Sequence, residues 1–132
     1  MESLGRHELV ELYGCEPGVL DDEGAIRRVM LEAAASSGAT VVGERFHKFS
    51  PQGVSGVVVL AESHLAVHTW PEHGYAALDL FTCGAQLDTD ACFRHLAESL
   101  GCRHRTSSVL SRGARAEIAR YDRKLAMSMT KR

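Results

Sequence analysis

The chain has 132 residues, 45% of them hydrophobic and 24% charged, with a net charge of −2, which fits one ordinary globular domain spanning 1–132. No run of about 18 apolar residues exists and Met1–Arg6 lacks the apolar core of a signal peptide, so the expected location is cytoplasmic, with no membrane partner. Residues 1–62 hold five Lys/Arg against ten Asp/Glu and residues 63–132 hold ten against seven, a mixed balance that calls for a solvated surface and no nucleic-acid partner.

Arg6–Tyr13 alternates weakly and reads as a strand stopped by Gly14. Asp21-Asp22-Glu23 opens a helix, with acids at its positive end, and Ile26, Val29, Met30, Ala33 and Ala34 recur at helical spacing up to Gly38. Thr40–Phe49 is the next strand, Pro51-Gln52-Gly53 a turn, and Val54–Ala61 a nearly continuous apolar run typical of a buried strand. Leu65, Val67 and Thr69 alternate as far as Trp70-Pro71, which places a strand break near Glu62-Ser63. Gly74–Cys83 reads as a strand stopped by Gly84, Asp88–Leu100 as a helix, and Arg103–Leu110 as a last strand. After Gly113, Ala114, Ile118, Tyr121 and Leu125 mark an amphipathic helix with a basic solvated face, expected to pack on the body.

This order lacks a repeating β-α alternation with a Gly-rich phosphate loop. It predicts an α+β, two-layer sandwich: a mostly antiparallel sheet with two helices packed on one face. Because the strands carry apolar residues on both parities, a partner subunit is expected to cover part of the other face. Cys15, Cys83, Cys92 and Cys102 form no C-x-x-C pair, so free thiols are expected rather than a disulfide framework or zinc knuckle.

The densest chemistry lies in Glu62-Ser63-His64-Leu65-Ala66-Val67-His68-Thr69-Trp70-Pro71-Glu72-His73. Three readings fit the residues. His64 and His68 have metal spacing on a helix, but on an extended strand their Cα atoms sit roughly 13 Å apart, too far to share an ion. Ser63 and His68 can be nucleophile and base, although no G-x-S-x-G elbow surrounds the serine. The third reading is structural: a turn serine and surface histidines.

The run Phe46-His47-Lys48-Phe49-Ser50-Pro51-Gln52-Gly53-Val54-Ser55-Gly56-Val57-Val58-Val59 resembles the bacterial and archaeal S-adenosylmethionine decarboxylase proenzymes. So do Glu62-Ser63-His64-Leu65, His68-Thr69-Trp70-Pro71-Glu72, Asp79-Leu80-Phe81-Thr82-Cys83-Gly84, Leu4-Gly5-Arg6-His7 and Glu11-Leu12-Tyr13-Gly14-Cys15. The likeness runs from about Leu4 to Leu100 and fades beyond Gly101.

The resemblance implies self-cleavage at Glu62–Ser63, giving a β-chain of 1–62 and an α-chain of 63–132, with Ser63 converted to a pyruvoyl cofactor and no metal required. That ketone would take the substrate amine as a Schiff base and act as an electron sink while carbon dioxide leaves. His68 would be the base for self-processing, Ser55 would assist it, and Cys83 would return a proton to the substrate. Phe49 would stack on adenine, the Leu65 backbone would meet the adenine edge, and Glu72 would bind the ribose hydroxyls. The implied substrate is S-adenosylmethionine, its product the aminopropyl donor for spermidine biosynthesis, and the implied assembly a homodimer of processed protomers with sites near the interface.

Ala66 and His73 depart from common family residues, at positions without a catalytic role. Pyruvoyl-dependent relatives that decarboxylate L-arginine or L-ornithine make a rival reading; Phe49 and Glu72 favour the nucleoside. A non-catalytic partner subunit is a third possibility, opposed by the presence of Glu62, Ser63, His68 and Cys83 together.

Overall fold

A computed structural model gives the fold of residues 2–83 and 86–130. Six strands, β1 (Ser3–Tyr13), β2 (Val41–Lys48), β3 (Val54–Leu60), β4 (Ser63–Trp70), β5 (Tyr75–Thr82) and β6 (His104–Ala114), form one sheet in the order β2-β3-β4-β5-β1-β6. Every neighbouring pair is antiparallel. Four helices accompany them: α1 (Pro17–Leu20), α2 (Glu23–Ser36), α3 (Thr89–Ser99) and α4 (Arg115–Thr130). No described helix is long and apolar enough to cross a membrane.

Strand alternation sends one set of side chains to each face of the sheet. Val10, Leu12, Val58, Leu65, Val67, Leu78 and Leu80 are buried on one face, with Ile26, Met30 and Ala33 of α2 and Phe93 and Leu96 of α3 completing the core. The two helices start where the sequence placed them. Asp22 caps α2 by accepting from the Ala25 N–H at 3.0 Å, and Asp88 caps α3 by accepting from the Ala91 N–H at 3.0 Å. The α+β sandwich with two helices on one face is thus the observed architecture.

Three features differ from expectation. The short helix α1 was not foreseen, because four residues are too few for a periodicity. β6 continues to Ala114, four residues past the expected end, since it pairs with β1 along its whole length. The terminal helix forms, but no residue of α4 is buried, so its apolar stripe does not pack on the body. The covered face is already filled by α2 and α3, and helical spacing fixes a stripe without fixing what it meets. Gly84, expected to stop β5, lies outside the described residues.

Candidate active site

β3 and β4 are joined by only Ala61 and Glu62, since Leu60 and Ser63 are already paired across the ladder. Glu62 adopts φ 62°, the sole positive φ outside glycine among the described residues. For a residue with a Cβ this conformation costs on the order of 1–3 kcal/mol. The next residue, Ser63, has a buried hydroxyl without a hydrogen-bond partner among the described residues. Strain therefore sits on one side of the Glu62–Ser63 bond and an unengaged oxygen nucleophile on the other. Ser63 pairs with Thr82 of β5, which puts the half-buried Cys83 at the same end of the sheet. By contrast, burial pushes the Cys15 and Cys92 thiols up to about 12, so both are inert packing residues.

The other end of β4 carries a second group. Ser55 pairs with His68 across β3 and β4, and Ser55 Oγ lies 2.8 Å from His68 Nδ1. Phe49, Ser55, His68, Trp70 and Glu72 line a common open cavity of about 240 Å³. The loop carrying Phe49 is held from several sides. Phe49 N–H donates to the Gly53 carbonyl at 2.8 Å, and Asp21 Oδ1 accepts from Gly53 N–H and from Lys48 Nζ, both at 2.9 Å. Those two donors, Lys48 first, hold the Asp21 carboxyl below its ordinary range. Gly53 has φ +106° and a Cβ there would lie 3.1 Å from the Thr69 carbonyl oxygen, so the turn needs glycine. The buried Thr69 hydroxyl accepts from Val54 N–H at 2.9 Å and donates to the Leu20 carbonyl at 2.8 Å, tying α1 beneath the cavity. Glu72 sits in a single 3₁₀ turn, Pro71–His73, ended by Gly74 at φ 59°. The Gly74 carbonyl accepts from Cys15 N–H at 2.8 Å, which anchors that turn to the end of β1.

Of the residues singled out from sequence, Phe49, Ser55, His68 and Glu72 are brought together, and Glu62, Ser63 and Cys83 share the opposite end. The two groups do not meet within one chain: Ser63 and His68 are five strand positions apart, about 16 Å at the usual rise. Leu65 lies on β4 between the two groups, its side chain buried and its neighbours in the sheet Val58 on one side and Leu80 on the other.

His64 and His68 share no site either. His64 instead meets two residues the sequence reading had not singled out. His64 Nε2 lies 2.8 Å and His7 Nε2 3.0 Å from the same oxygen, Asp79 Oδ1. Arg112 Nη1 lies 3.1 Å from His7 Nδ1. A guanidinium only donates, so His7 Nδ1 accepts and its Nε2 carries the proton that Asp79 receives. Two imidazoles and a carboxylate are a possible ligand set for a metal, but with Arg112 in place this one is a hydrogen-bond cluster. Strand alternation alone puts His64 on the uncovered face; only the register of β1, β5 and β6 sets its companions beside it.

A sequence model of the family described as S-adenosylmethionine decarboxylase matches residues 6–113. An S-adenosylmethionine decarboxylase proenzyme of Acetivibrio thermocellus is 53% identical over 114 residues, covering 86% of this chain and 91% of the relative. One from Thermotoga maritima is 56% identical over 100 residues, covering 76% and 77%. The crystal structure of the adenosylmethionine decarboxylase from Aquifex aeolicus superposes with a TM-score of 0.78 at 33% identity, covering 86% of this chain and 93% of that one. A Trypanosoma brucei AdoMetDC monomer shares the fold alone, with a TM-score of 0.60 at 14% identity, over 79% of this chain and 45% of that one. The chain belongs to the S-adenosylmethionine decarboxylase family.

Proposed function

We propose that the chain is a proenzyme that cuts itself between Glu62 and Ser63 and then decarboxylates S-adenosylmethionine. The observation that carries the reading is the strained Glu62 beside a buried serine hydroxyl with no described partner. In the processing reaction, Ser63 Oγ attacks the Glu62 carbonyl carbon and the peptide C–N bond gives way to an ester. A base then takes the Ser63 α-proton and the Ser63 Cβ–Oγ bond breaks, releasing a chain that ends in the Glu62 carboxylate and leaving a dehydroalanine at residue 63. Water replaces the nitrogen left on the dehydroalanine, ammonia departs, and residue 63 becomes a pyruvoyl group. That group supplies an electron sink for the pair left behind as carbon dioxide leaves.

The remaining work falls to side chains. His68, held through Nδ1 by Ser55, presents Nε2 as the base for processing. Phe49 offers an aromatic face and Glu72 a carboxylate on one cavity, which suits stacking on a purine and hydrogen bonds from a ribose diol, and the likeness to S-adenosylmethionine decarboxylase proenzymes favours that substrate over arginine or ornithine. Cys83, at the Ser63 end, would return a proton to the product carbon.

Base and nucleophile lie at opposite ends of β4, so the reaction needs two chains. Two copies stacked by their uncovered faces, with a two-fold axis crossing β4 near Ala66, would set the strand end that carries Ser63 and Cys83 of one over the partner's Ser55 and His68, so that the base meets the backbone of residue 63 while its side chain starts on the covered face. Exposed Trp70, Val59 and Tyr13 on that face support such a homodimer. The deciding experiment pairs intact mass with carbon dioxide release from S-adenosylmethionine, arginine and ornithine. Two chains and release from the nucleoside alone are expected. A single 14.4 kDa chain, or release only from the basic amino acids, refutes the proposal.

A further inference from the structure

We propose that Asp79, acting through His64, is a positioning residue that holds the new end of the α-chain once the Glu62–Ser63 bond is cut; the inference rests on that self-cleavage. Cleavage turns an internal hairpin position into a terminus, and termini fray unless they are tied down. After the cut, β4 is the first strand of its chain, and His64 carries the first side chain behind residue 63.

The cluster around His64 is built from four adjacent strands. His64 of β4 and His7 of β1 converge on one oxygen of Asp79 of β5, at 2.8 and 3.0 Å, and Arg112 of β6 steadies His7 from its far side at 3.1 Å. Phe81 completes it: the His64 ring stacks on it at 5.9 Å with planes 9° apart, and the His7 ring meets it edge-on at 5.4 Å. Phe81 itself lies over Gly5, where a Cβ would sit 2.6 Å from its Cζ. Strand alternation points His64 away from the Ser63 hydroxyl, so His64 does not touch the reacting atoms. What the cluster controls is where residue 63 stands after its covalent tether to Glu62 is gone. A misplacement of about 1 Å there costs roughly 100-fold in rate.

The test compares amide exchange of residues 64–67 in cut protein and in the uncut Ser63→Ala background. In cut protein, Asp79→Ala is expected to speed exchange roughly tenfold and lower kcat about as much with little change in KM. In the Ser63→Ala background it should change nothing, because Glu62 still holds the strand. Asp79→Asn, which keeps an acceptor oxygen, should restore most of the loss. His64→Phe, which keeps the stacking on Phe81 and removes the hydrogen bond, should reproduce the Asp79→Ala pattern. Equal acceleration in cut and uncut backgrounds, unchanged exchange in cut protein, or loss of cleavage in both variants would overturn the clamp. A wild-type protein that stays in one piece would overturn the cleavage reading itself, and the clamp with it.

Discussion

Ser63 combines two unfavourable conditions, a buried hydroxyl without a partner among the described residues and a neighbour at φ 62°, and the proposed bond rearrangement would relieve both. Ser63→Ala should therefore remain one 14.4 kDa chain without activity. His68→Ala should cut slowly, by about 10²–10⁴-fold for a lost general base, in a time course of intact mass. Cys83→Ala should cut nearly normally yet turn over slowly, and normal carbon dioxide release would remove it from the proton-donor role. Asp21 offers a separate check. Its folded pKa lies below the ordinary 3.8, so its hold on the Phe49 loop is intact above pH 3.8 and is lost as pH falls through the folded value. The single tryptophan, Trp70, lines the same cavity and reports on it by fluorescence. The signal should change in acid below pH 3.8 as that hold is lost, and Asp21→Ala should remove this acid change.

At the scale of elements, the hairpin β3–β4 does two jobs. Its tight end holds Glu62 at φ 62° beside the bond proposed to break, and its open end aligns Ser55 with His68. Its place in the sheet depends on a close fit: a Cβ on Gly56 would lie 2.0 Å from Phe46 Cδ1, so the Phe46 ring of β2 rests directly on the glycine. The Arg27 guanidinium sits 5.4 Å above that ring and pairs with Glu44 at 2.9 Å, linking α2 to the same spot. Gly56→Ala should cost about 1–3 kcal/mol by overpacking, read as a lower urea midpoint. The hairpin was legible in sequence because a long apolar run met an alternating one at Glu62-Ser63. The strain at Glu62 was not, since a turn of only two residues appears only when Leu60 and Ser63 are seen to pair.

At the scale of the molecule, the distribution of residues along β4 makes a testable demand. If each site takes Ser63 and Cys83 from one chain and Ser55 and His68 from the partner, co-expressed Ser63→Ala and His68→Ala chains will complement. The Ser63→Ala chain supplies His68, the His68→Ala chain supplies Ser63, and the latter should be cut in the mixed dimer although neither variant processes well alone. Absence of complementation in purified mixed dimers would place base and nucleophile in the same chain.

The sequence by itself settled the sandwich architecture, the two helices of the core, and the family, because periodicity and a contiguous run of motifs are local properties. It also indicated which residue types were reactive. It could not decide which of them share a site. Whether Ser63 meets His68, whether His64 has a metal partner or a carboxylate, and whether Leu65 is free or buried all depend on strand register and on the pleat. Those bring together residues as distant as His7, Asp79 and Arg112 while separating others five positions apart. Register is fixed by pairing across the whole sheet, and no segment of the chain carries it alone.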